Sequence, residues 1–228
     1  GAGMMDCKKA LTEANGDFEA AIDVLRKQGQ KVAAKRADRN ATEGAVIAIT
    51  NADQTLGVVI SLNCETDFVA KNEGYVAMAT KMAEIALAGF PKNKEALLAL
   101  AFEGGLTVAD KLTEQTGVIG EKIEIAFYES IEGACVGAYI HAGNKLGTLV
   151  ALSGSAPEAA KDVAMQVAAM NPVALNKDSV PAEAIERELD IARDQIRQEG
   201  KPEEMVDRIA QGKLSKFFKE NTWVEQDF

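Results

Sequence analysis

The sequence contains one histidine, His141, and three cysteines, Cys7, Cys64 and Cys135, which leaves little side-chain chemistry to build a catalyst from. A thiol dyad or triad would have to combine Cys64, His141 and Asp67, and nothing in their spacing supports it. A zinc site drawn from Cys7, Cys64, Cys135 and His141 lacks any Cys-x-x-Cys pair. There is no Gly-x-x-x-x-Gly-Lys phosphate loop, and the doublet Gly104-Gly105 reads as a turn before a helix. The expectation is therefore no catalytic residue, no metal, no cofactor and no nucleotide held by this chain itself. Three widely spaced cysteines build no disulfide framework and point to a reducing compartment, the cytoplasm. No apolar run approaches the ~20 residues of a membrane span, and no signal-peptide pattern is present. With 25 Lys and Arg against 35 Asp and Glu the net charge is −10. That balance argues against a nucleic-acid partner, because neutralising phosphates takes basic residues. Acidic protein partners are compatible with it only where apolar contact carries the affinity.

What is present suits a globular chain: 47% apolar and 26% charged residues. A chain of 228 residues can hold two or three cores. Met4, Cys7, Leu11 and Ala14 share one face of a helix over residues 4–14. Asn15-Gly16 breaks it, Asp17 caps a second helix over 18–27, and Gly29 closes that one. Residues 28–39 read as a basic linker whose charge is a solvated face. Residues 45–50 and 56–63 form a β-hairpin across Asn51-Ala52-Asp53-Gln54. Helices follow over 75–88, 94–102 and 107–116, then strands over 122–130, 134–141 and 146–152. Residues 181–199 and 203–220, joined through Gly200-Lys201-Pro202, read as a helical hairpin with a stripe of coiled-coil spacing at Ile185, Leu189, Ala192 and Ile196.

A faint internal repeat runs through this order. Residues 56–62 (LGVVISL) parallel residues 146–152 (LGTLVAL), each preceded by a β run and followed by an alanine-rich helix, the second over 157–170. The first copy carries extra residues between strand and helix, and these include Asp67 and Phe68. The short connection of the second copy satisfies the architecture, so the longer loop has another purpose. A phenylalanine in a segment of loop-like composition either anchors the loop or awaits a partner.

The stretch Asn63-Cys64-Glu65-Thr66-Asp67-Phe68-Val69-Ala70-Lys71 resembles the central signature of the elongation factor Ts family, guanine-nucleotide exchange factors of bacterial translation. Gly1-Ala2-Gly3-Met4-Met5-Asp6-Cys7-Lys8-Lys9-Ala10-Leu11 resembles that family's other signature. The resemblance covers essentially the whole chain and implies an α+β protein. Residues 1–29 would be a helical module like a ubiquitin-associated domain short of its first helix, which leaves Met4 and Met5 incompletely ordered, and 30–43 the basic linker. Residues 44–132 would form one core subdomain, 133–172 with 222–228 a second, related one, and 173–221 an inserted antiparallel hairpin. Residues are expected upstream of Gly1, and Phe228 looks like a truncation point.

By the same resemblance the partner is elongation factor Tu, GDP-bound and nucleotide-free. Asp67 and Phe68, flanked by Thr66 and Val69, match a pair that intrudes beside the partner's magnesium site. Ile119 and Gly120 match a second contact with the same domain, His141 matches a contact with a β-barrel domain, and Lys8, Met4 and Met5 belong to the docking helical module. Ile119 is open to a core role and His141 to that of a satisfied strand-end histidine. The hairpin would serve self-association, giving a homodimer through it or through the core, or extra partner contact. Ser61 departs from the family, which usually carries an acidic residue there; within a strand it should matter little. A ubiquitin-associated-type adaptor, with the first helices as its working part, is the alternative from another class.

Overall fold

The computed structural model describes residues 3–228, so Gly1 and Ala2 of the N-terminal signature lie outside the described residues. The chain divides into two compact units, Gly1–Ala164 and Met165–Phe228. Helices mix with small antiparallel sheets, the expected α+β class.

In the first unit, α1 (Met4–Glu13) and α2 (Phe18–Arg36) form a helical pair. Asn15 and Gly16 take positive φ to turn the chain, and the Asp17 carboxylate accepts the Ala20 N–H at 2.9 Å. Met4 and Met5, expected to be incompletely ordered, form the first turn of α1 with their side chains exposed. The linker expected from residue 28 onward is instead helix as far as Arg36. Gly29 does not end α2, because it serves a different purpose. It crosses Gly117 of α6 (Val108–Ile119) so closely that a Cβ on Gly117 would lie 2.5 Å from the Gly29 Cα. Gly117 therefore has no room for a side chain, whereas a Cβ on Gly29 would meet its nearest neighbour, the Thr113 carbonyl, at 3.4 Å.

The main sheet has the order β1-β2-β3, from Glu43–Thr50, Leu56–Cys64 and Glu124–Glu132. All neighbours are antiparallel, and central Ile60 stands opposite both Ile47 and Tyr128. The Asn51 side-chain oxygen accepts the N–H groups of Thr55 and Leu56, which fixes the β1–β2 turn. Alternation sends Ile47, Val58, Ile60 and Leu62 to one face, where α4 (Glu73–Gly89) covers them with Tyr75, Ala79, Met82 and Ala86. Leu97 of α5 (Lys94–Leu98) and Leu112 of α6 complete this core. On the opposite face, a Cβ on Gly57 would meet Val136 and Leu149, and one on Gly147 would meet Val46. There a second sheet, β4 (Cys135–Ile140) and β5 (Gly147–Leu152), packs tightly. It is followed by α7 (Pro157–Met170), so the repeat seen in the sequence is a repeat of strand pair and helix.

The second unit holds α8 (Ala182–Gln198) and α9 (Glu203–Asn221), which bury Ala192, Ile196, Val206 and Ala210 between them. Thr222 is fully buried and bridges Ala174, and the N–H groups of Trp223 and Val224 donate to Ala174 and Leu175. No helix among the described residues is long and apolar enough to cross a membrane.

Candidate functional site

The site grows from the end of β2. Cys64 is buried, its Sγ donates to the Thr66 carbonyl at 3.2 Å, and burial pushes its thiol pKa up. An activated nucleophile would need the opposite shift. Beyond it the expected loop is a one-turn helix, α3 (Asp67–Ala70). Thr66 is extended and its hydroxyl accepts the Val69 N–H, while Asp67 contributes negative charge to the first turn. Loop-like composition concealed this turn because four residues carry no periodicity. Within α3, Val69 packs on the main core and Ala70 is buried. The adjacent Phe68 is therefore turned outward, 85% exposed. The Lys71 ammonium, one turn on, donates to the Asp67 carboxylate at 2.6 Å. That bond holds the carboxyl below the ordinary carboxylate range.

The approach to α3 is fastened to the turn between α6 and β3. One Glu121 oxygen accepts the N–H groups of Glu65 and Thr66, both at 3.0 Å, and the other accepts the Thr66 hydroxyl at 2.6 Å. In return the Glu65 carboxylate accepts the Lys122 N–H at 2.7 Å and the Arg36 guanidinium at 2.8 and 3.0 Å. Those bonds, the Lys122 one foremost, lower the Glu65 pKa. Arg36 ends α2, so the helical pair is tied into the same knot. Sequence reading missed Glu65, Glu121 and Arg36. Glu65 stands inside the central signature and Glu121 directly after Gly120, but partners this far apart in the chain leave no mark in local spacing.

The fold brings Thr66, Asp67, Phe68, Val69, Ile119 and Gly120 together. Ile119 is partly buried against the main core and also lines a cleft of about 680 Å³ with Phe68, Val69, Tyr75, Met78 and Phe102. Its core role is thus met in part, and the rest of the side chain faces the cleft. Gly120 ends α6 at φ +80°, where a side chain would be strained.

His141 stands elsewhere, on the exposed β4–β5 turn, with Nδ1 2.9 Å from the Tyr139 hydroxyl. Its backbone N–H donates to Leu146. That turn is held to β1 by the Val46 N–H on the Asn144 carbonyl at 2.7 Å and by a Lys145–Glu43 ion pair. Lys8, Met4 and Met5 stand exposed on α1. Ser61 lies at an irregularity in the β2–β3 pairing and donates to the Asn63 side chain at 2.6 Å, which in turn donates to the Ala41 carbonyl. No cluster of three His, Cys, Asp or Glu among the described residues is placed to hold a metal.

The family model described as elongation factor TS matches residues 65–228. Elongation factor Ts of Flavobacterium psychrophilum is 62% identical over 231 aligned residues, covering all of this chain and 83% of that protein. The homologues of the same name from Christiangramia forsetii and Amoebophilus asiaticus are 61% and 53% identical, again over all of this chain and 83% of theirs. With a match across α3, its clamp and the second unit, and relatives this similar along the whole length, the chain belongs to the elongation factor Ts family.

Proposed function

We propose that this chain is a translation elongation factor that binds elongation factor Tu carrying GDP and speeds GDP release, acting by protein contact and without covalent chemistry. The reading rests on one observation above the others: a phenylalanine 85% exposed, on a helix whose approach is pinned by a glutamate. Burying such a ring only on binding contributes roughly 1.5–3 kcal/mol. A thousandfold faster release requires about 4 kcal/mol off the barrier. Phe68 alone is insufficient, and the reading assigns the remainder to docking by Ile119 and Gly120, His141, and Met4, Met5 and Lys8. Asp67, beside the ring, would disturb polar contacts at the partner's magnesium and phosphate site. Because binding free energies are reciprocal, a factor that prefers the nucleotide-free partner weakens GDP by the same ratio. The setting is the cytoplasm, and no nucleic acid or membrane takes part.

Release of a fluorescent GDP from elongation factor Tu should be accelerated by this chain. Phe68→Ala should remove most of the acceleration and leave the fold intact, since the ring is packed against little. Exposed Met4 and Met5 favour a second reading, an adaptor working through α1. Insensitivity of partner binding to Phe68→Ala, with loss on Met4→Ala/Met5→Ala, would select it.

A further inference from the structure

We infer that Glu121 is a positioning residue for the exchange step proposed above, on which the inference rests: it holds Phe68 in register with Ile119 and Gly120. The β2–β3 ladder brings the two segments together only as far as Asn63 opposite Glu124. Pairing with β1 ends one residue later, at Glu43 opposite Cys64, and both α3 and the Ile119 turn lie beyond the two ladders. A four-residue helix cannot set its own direction, because a single turn is not stable alone. The direction of α3 therefore depends on the packing of Val69 and Ala70 against the core and on how its two ends are tethered. Asn72 caps the following helix at one end, with its side-chain oxygen accepting from Gly74 and Tyr75. At the other end, three donors immediately before Asp67 converge on the Glu121 carboxylate. Glu121 itself follows Ile119 and Gly120 directly, so one side chain spans the two contact segments.

These donors also decide between positioning and a direct role. Both Glu121 oxygens are occupied internally, by two N–H groups and a hydroxyl. A carboxylate engaged in this way acts through Thr66 and Glu65, not on a distant metal or phosphate. Once Glu121 is removed, the ring and the Ile119 turn still exist but no longer move as one body. Docking would survive in part, while the strained geometry that expels nucleotide would be reached less often, which is a loss in maximal rate more than in affinity.

Glutamine keeps the length and an acceptor oxygen but has no charge; aspartate keeps the charge but is one methylene too short. Maximal catalysed GDP release should fall ~10-fold in both Glu121→Asp and Glu121→Ala, in line with the sensitivity of oriented reactions to small misplacement, with half-saturation moved by less than ~3-fold. Glu121→Gln should stay within about 3-fold of the parent. Amide hydrogen exchange at Glu65 and Thr66 should quicken in the Asp and Ala variants and not in Gln; should Glu121→Ala not fold, the Asp variant bears the test. The inference is overturned if Asp retains activity and Gln loses it, since charge would then act directly. It is also overturned if the variants merely melt at lower temperature while the rate per folded molecule is unchanged. If Phe68→Ala abolishes exchange and Glu121→Ala does not, the positioning role fails and the exchange reading stands. If the unmodified chain does not speed GDP release at all, both fall together.

Discussion

Asp67 and Lys71, one helical turn apart on either side of the outward-facing Phe68, are joined by a 2.6 Å hydrogen bond between ammonium and carboxylate. Both side chains are solvent-exposed, so the pair adds little to stability and should weaken as salt rises. Its effect is on charge state: the carboxyl of the tip is held below its ordinary pKa.

The Asp67 carboxyl should consequently titrate lower in the folded protein than in an unstructured peptide. Lys71→Ala should return its midpoint toward the ordinary value. A carboxyl-detected NMR titration reads both. A midpoint unmoved by the substitution would mean that the pair does not persist in solution.

Glu65 also has a depressed folded pKa, with the Lys122 N–H as the larger cause and Arg36 as the second. The sign follows from linkage: the contribution is complete above the unfolded pKa and is lost as pH falls through the folded one. Glu65→Ala should cost about 1–3 kcal/mol at neutral pH, mainly by leaving the Lys122 N–H unpaired. Part of that cost is charge-dependent, so the gap from the parent should narrow as pH drops below the ordinary carboxylate pKa. Urea midpoints of the two proteins at several pH values test this, and a gap independent of pH would refute it.

Gly117→Ala places a methyl group 2.5 Å from the Gly29 Cα, against backbone that has no rotamer to yield. Alanine ordinarily favours a helix interior by about 1 kcal/mol over glycine. Here overpacking of about 1–3 kcal/mol or more should win, and α2 must shift away from α6. Denaturation should show the variant to be less stable; a gain would mean that the crossing is looser than described.

In the hairpin, the ion pairs Arg193–Asp207 and Arg197–Glu203 are exposed, whereas Ile196 is fully buried. Ile196→Ala should cost about 2–5 kcal/mol, and Arg197→Ala far less, because its ion pair is solvent-exposed. Hydrogen exchange of the α8 amides should resolve the two effects, and equal losses would contradict the assignment of stability to the apolar seam.

Much of this architecture is legible without coordinates. The β-rich run over residues 56–63 marks a strand, and the helix expected over 107–116 is α6, which the structure shows to begin with a capping box of Thr107 and Asp110. The repeat around Gly57 and Gly147 marks two similar strand-and-helix units. What local pattern cannot show is contact between distant segments. Gly29 looks like a helix terminator until Gly117 is seen beside it, and Glu65 and Glu121 look like ordinary surface acids until each is found on the other's backbone. The tip itself was visible as an oddity, an aromatic placed where polarity predicts solvent. Its helical form depends on the Thr66 hydroxyl and on tethers some fifty residues away in sequence.

The tip is mounted at the end of β2, the middle strand, and not at either margin of the sheet. Behind α3, β2 is paired on both sides, with Ile60 opposite Ile47 on one flank and Tyr128 on the other. A two-sided ladder thus reaches almost to the base of α3, and only the last few residues before it rely on side-chain bonds for support.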